Sequence, residues 1–161
     1  MRIALIGYGE VGRILAEDLA SQGHSVAAYD IKLERERQGE GGNAMREHAA
    51  KIGVTLASSH ASAVQRAELV LSAVTASQAV PVAEAVAPGL AKGAYVLDFN
   101  SASPGAKIRA AAIVNAAGGR YVEGAVMTSI PPYRIRVPLL LGGPDAAHLG
   151  PLLNALGFAA R

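Results

Sequence analysis

Apolar residues along this chain fall in short runs of strand length that alternate with stretches of helical spacing. Ile3-Ala-Leu-Ile6 is a continuous apolar run, and Val11, Ile14, Leu15 and Leu19 follow at the spacing of one helix face, with Gly23 as the stop. Residues 25–30 read as a second short strand ending in Asp30. Residues 31–42, with Glu34-Arg35-Glu36-Arg37, are the most polar in the chain and read as a solvated loop or short helix. Residues 43–52 suit a helix with Ala44, His48 and Ala49 toward one face, and residues 54–56 a third strand. The run Glu68-Leu-Val-Leu-Ser-Ala-Val74 has the pattern of a central parallel strand, bounded by Thr75-Ala-Ser. A helix over 78–91 carries Pro81 in its first turn, where the missing N–H costs little. A strand at 94–98 and a helix at 105–117 come next. The last third reads as strand (120–127), loop (128–136), strand (137–142) and a final helix over 145–156. No repeat, linker or low-complexity segment interrupts this order. It predicts one domain, 1–161, of α/β class: a doubly wound, mostly parallel sheet with helices on both faces.

Composition narrows the class. Hydrophobic residues make up 51% of 161, as a sheet buried on both faces requires, yet no apolar run approaches the ~18 residues that cross a bilayer. Met1-Arg2 runs straight into the first strand, leaving no room for a targeting peptide, so the reading is a cytoplasmic protein without membrane contact. The absence of cysteine removes disulfides, thiolate metal sites and thiol nucleophiles. A net charge of +2 with scattered basic residues gives no stripe for nucleic acid. No His and acid pair stands at metal-ligand spacing, so no metal is expected, and His48 and His60 read as isolated surface residues.

The chemistry begins where the first strand meets the first helix. Gly7, Gly9 and Gly12 stand in the order Gly-x-Gly-x-x-Gly: Gly7 permits the turn, Gly9 lets a pyrophosphate approach the backbone, and Gly12 lets helix and strand pack closely. The helix start then offers N–H groups and positive dipole to phosphates, with Tyr8, Glu10 and Val11 in the same segment. Asp30 stands eighteen positions after Gly12, near the offset at which an acid accepts hydrogen bonds from the adenosine ribose; the same residue at a strand end is also an ordinary turn former. A 2′-phosphate ~4 Å from that carboxylate would be disfavoured by about 4 kcal/mol per unit charge at an effective dielectric of ~20. Ribose hydroxyls would gain about 1.5–3 kcal/mol from it. NAD is therefore the expected cofactor, with NADP possible if Lys32 or Arg35 folds back to offset the repulsion. Ala73, Val74 and Thr75 close a strand at the edge where parallel sheets bind ligands. Asn100, Ser101 and Ser103 form a second polar loop at that edge; Ser103 suits a helix cap before Pro104.

Together these segments resemble the nucleotide-binding domain of the β-hydroxyacid dehydrogenases, the group with 3-hydroxyisobutyrate dehydrogenase, tartronate semialdehyde reductase and 6-phosphogluconate dehydrogenase. The matching stretches are Ile6-Gly-Tyr-Gly-Glu-Val-Gly12, Leu69 to Val74, Asp98-Phe-Asn-Ser-Ala-Ser-Pro104, Gly119-Arg-Tyr-Val-Glu-Gly-Ala-Val126 and Leu139-Leu-Leu-Gly-Gly143. The resemblance implies a Rossmann-type fold, hydride transfer to or from a small hydroxyacid-type substrate, and a homodimer in the full-length protein. It also implies that Asn100 and Ser101 lie beside nicotinamide and substrate. Val126-Met-Thr-Ser129 stands where most members have Val-Ser-Gly-Gly for the substrate carboxylate. Lys32, Lys51, Lys92 and Lys107 match no catalytic-lysine motif, which such proteins carry in a further helical domain. These residues are thus expected to bind cofactor and to turn over poorly or not at all. A reductase of another class, such as one acting on imines, and a non-enzymatic nucleotide sensor or interaction module are the alternatives.

Overall fold

A computed structural model of the chain describes residues 1–36 and 39–161; Arg37 of the charged stretch lies outside them. Among the described residues, eight strands form one sheet in the order β3-β2-β1-β4-β5-β6-β7-β8. They are β1 (Arg2–Ile6), β2 (Ser25–Tyr29), β3 (Thr55–Leu56), β4 (Leu69–Ser72), β5 (Tyr95–Asp98), β6 (Arg120–Val126), β7 (Pro138–Gly142) and β8 (Ala159–Ala160). Every neighbouring pair is parallel except β6 and β7, whose connection returns the chain in the opposite direction.

The two-residue period of a strand explains the doubly wound form. Ile3 and Leu5 face one layer, where α1 (Glu10–Ser21) packs with Leu15 and Leu19, α3 (Glu40–Ile52) with Met45 and Ala49, and α8 (Ala146–Ala155) with Leu149 and Leu153. Ala4 and Ile6 face the other, against α4 (His60–Val64), α5 (Ala79–Val86) and α6 (Pro104–Ala116). Both faces are covered, so β1 and β4 are buried throughout apart from Arg2 at the entrance to β1. From β1 the chain moves outward to β2 and β3, then crosses back to β4 on the other side of β1. The reversal opens a crevice at the carboxyl ends of β1 and β4.

Three segments depart from the sequence pattern. The third helix begins at Glu40, preceded by the short α2 (Lys32–Arg35), and its core face is Gly42, Met45 and Ala49, while Ala44 is exposed. Residues 128–136 are a short helix α7 (Ile130–Tyr133) with a 3-10 turn (Arg134–Arg136), because Pro131 and Pro132 hold the φ that a first helical turn needs. A final strand, β8, adds to the edge through Leu139 and Leu141, a pairing that its short Ala-Ala sequence does not announce.

Candidate functional site

A cavity of about 500 Å³ opens at the crevice. Its floor is the turn from β1 into α1. Gly7 has φ +96°, and a Cβ there would fall on the carbonyl of Ala73. Gly12 lies under the turn, where a Cβ would fall on the carbonyl oxygen of Gly7, so helix and strand meet at backbone distance. Gly9 differs: a Cβ would meet nothing within 4 Å, so this glycine keeps open a space that the pocket uses. It is also the N-cap of α1 and provides no side-chain acceptor, so the first-turn N–H groups face the cavity uncapped. Those dipoles suit an anion.

Asp30 forms one wall. Its Oδ2 accepts the Tyr8 N–H at 2.8 Å and its Oδ1 the Lys32 N–H at 2.9 Å. Two donors fix a carboxylate that has further lone pairs for hydroxyl partners. Lys32 and Arg35 stand exposed on the same rim, and Ala73, Val74 and Thr75 line the facing wall. Gly7, Gly9, Glu10, Val11, Gly12, Asp30, Lys32, Ala73, Val74 and Thr75 thus line one cavity.

Tyr8, Asn100 and Ser101 are not on that wall. The Tyr8 ring is fully buried and points away from the cavity. Asn100 is 4% exposed; its Oδ1 accepts the Val74 N–H at 2.9 Å and its Nδ2 donates to Ser72 Oγ at 3.4 Å. Its own N–H donates to Asp98 Oδ1, and Asp98 Oδ2 accepts the Tyr121 hydroxyl at 2.6 Å. In this structure Asn100 shapes the loop that carries Val74, with Asp98 and Tyr121 behind it. Ser101 is exposed, and Ser103 caps α6 by accepting from the Ala106 N–H. Burial, together with the hydrogen bond to Asp98, raises the Tyr121 phenol well above its ordinary range.

Both histidines depart from an isolated surface position. His60 begins α4 and lines the cavity edge-on to Tyr29, ring centroids 4.5 Å apart. Burial pushes its pKa down, so it is a neutral ring at neutral pH. His48 lies between the Tyr8 hydroxyl and Glu17, at 2.7 Å from each. A lone histidine gives no sign of such partners in sequence, since they stand 40 and 31 positions away. A second hollow of about 710 Å³ lies at the amino ends of β1, β4 and β5, the edge opposite to that at which such sheets bind ligands. Among the described residues no group of three or more acids, histidines or cysteines could hold a metal, and no helix is long and apolar enough to cross a membrane.

Burial pushes the Tyr8 phenol up to about 12. An unfolded chain loses that proton near pH ~10, so between pH ~10 and ~12 ionisation favours unfolding and stability falls as pH rises. Urea unfolding at pH 9, 10.5 and 11.5 should show this loss, with a shallower slope for Tyr8→Phe.

The family described as the NAD binding domain of 6-phosphogluconate dehydrogenase matches residues 2–157. Among solved structures, a conserved hypothetical protein from Sinorhizobium meliloti 1021 is 35% identical with a TM-score of 0.91, covering 100% of this chain and 53% of its own. A conserved protein of unknown function, described as structurally similar to 3-hydroxyacid dehydrogenases, is 27% identical at TM-score 0.79, covering 100% of this chain and 57% of its own. An imine reductase from Myxococcus stipitatus in complex with NADP+ shares the fold at 20% identity and TM-score 0.78, covering 100% of this chain and 54% of its own. This chain therefore spans slightly over half the length of these proteins. No curated protein matches it.

Proposed function

From a chain that belongs to the family of the NAD binding domain of 6-phosphogluconate dehydrogenase, we propose that the crevice binds NAD in an oxidoreductase acting on a small hydroxyacid-type substrate. The uncapped start of α1 beside the open space at Gly9 carries this reading. Those N–H groups would hold the diphosphate, and the Asp30 carboxylate, fixed by two backbone donors, would accept from the ribose hydroxyls. The same carboxylate disfavours a 2′-phosphate, which supports NAD over NADP; Lys32 and Arg35 on the rim would reduce that margin. When bound, the nicotinamide supplies or takes the hydride.

Val74, held by the Asn100 side chain, shapes the wall near the reacting end. Neither Asn100 nor Ser101 titrates near neutrality, so we assign the proton transfer to neither of them.

Fluorescence titration with NADH and NADPH tests the proposal. Wild type should bind NADH more tightly, and Asp30→Ala should weaken NADH about tenfold or more, from about 1.5–3 kcal/mol of lost charge-assisted bonding. Its preference over NADPH should narrow. An unchanged NADH/NADPH ratio removes Asp30 from the site.

A further inference from the structure

In a Gly-x-Gly turn the middle residue has the only side chain, and here that side chain is a tyrosine with a built set of partners. The carboxylate oxygen of Glu17 can only accept, so His48 Nε2 carries the proton between them. In the neutral ring, His48 Nδ1 then accepts from the Tyr8 hydroxyl. Glu17 Oε2 accepts from Arg134 Nη2 at 2.6 Å, and hydrogen bonds from His48 and Arg134 hold the Glu17 carboxyl below its usual range. Arg134 Nε also donates to Asp18 Oδ1 at 3.1 Å, and the Ile135 N–H to Asp18 Oδ2 at 3.1 Å. Arg134 has φ +55°, a conformation that costs a side-chain-bearing residue energy and persists where contacts over-determine it. The chain of bonds thus joins the glycine turn to α1, to α3 and to the turn after α7.

Volume alone does not require this arrangement. A leucine or phenylalanine would fill the space under α1, whereas a buried hydroxyl is costly unless it is bonded. Tyr8 also donates its N–H to Asp30, so one residue links the ribose-side acid, the glycine turn and the buried network.

We propose that Tyr8 and His48, backed by Glu17 and Arg134, are positioning residues for the dinucleotide. By holding the Tyr8 hydroxyl, His48 fixes the Gly7–Gly9 turn in the form that receives the diphosphate. The proposal rests on the dinucleotide reading above, and the test separates the two.

NADH affinity is measured by fluorescence titration, with adenosine, which lacks the diphosphate, followed by ligand-observed NMR as the control. Tyr8→Phe keeps the ring and loses only the hydroxyl. It should weaken NADH about three- to tenfold, equivalent to about 0.7–1.4 kcal/mol, with adenosine affinity unchanged. His48→Ala should do the same, and the double variant should be no weaker than the weaker single variant. His48→Asn, whose amide oxygen can still accept from Tyr8, should restore most of the loss. Unchanged NADH affinity in Tyr8→Phe, additive losses, or equal losses for adenosine and NADH overturn the positioning role. Wild type failing to bind NADH at all overturns the dinucleotide reading and this inference with it.

Discussion

Gly12→Val should abolish measurable NADH binding and lower unfolding stability by about 2–4 kcal/mol. A Cβ at this position falls on the Gly7 carbonyl oxygen, a backbone atom that cannot rotate aside, so α1 must move away from β1. Greater helix propensity offers at most about 1 kcal/mol in return, and valine less than alanine. The displaced helix takes its N–H groups away from the crevice, so stability and binding fall together. Gly9→Ala is the informative companion. Nothing lies within 4 Å of its Cβ, so only the small capping preference for glycine over alanine is lost, about 0.5–1 kcal/mol. NADH affinity should nevertheless drop sharply, because the methyl occupies space that the pocket keeps open. Urea unfolding and NADH titration on both variants separate the two roles. Full NADH binding by Gly9→Ala would mean that the diphosphate does not lie over this turn.

Local signals carried most of the fold and the glycine-turn side of the crevice. Strand runs such as Ile3 to Ile6 and Leu69 to Ser72 are apolar without interruption because both sheet faces are covered, and the glycine turn declares itself by spacing alone. The edge strand β8 carried no such signal, since two alanines have no period to read. The polar networks were equally hidden. Asn100 in a loop between strand and helix reads as a ligand contact, and the structure directs its amide to Val74 and Ser72, which lie 26 and 28 positions earlier. Tyr8 reads as part of a binding fingerprint because its neighbours are, while strand-to-helix geometry turns its ring inward to His48. Local sequence records what a backbone segment can do; it does not record which distant side chain takes up a polar atom.

The Asp98 network shows how much depends on such a distant pairing, and Asp98→Ala should cost about 2–5 kcal/mol. The carboxylate is 3% exposed and accepts both the buried Tyr121 hydroxyl and the Asn100 N–H. Its removal leaves two donors without an acceptor at about 1–3 kcal/mol each, with the cavity adding to the loss. Tyr121→Phe removes one bond and leaves one carboxylate oxygen short of a donor, so about 1.5–3 kcal/mol is expected. Asp98→Asn keeps an acceptor for one of the two donors and should fall below Asp98→Ala in cost. The consequence for binding passes through Asn100: freed from Asp98, its backbone no longer fixes the amide that holds the Val74 N–H, and the β4 wall of the crevice loosens. NADH affinity should fall in Asp98→Ala even at temperatures well below its unfolding transition, whereas adenosine, proposed above to sit on the Asp30 side, should keep its affinity. Equal weakening of both ligands, or a stability loss under ~1 kcal/mol, would show that the β5 loop holds its shape without this carboxylate.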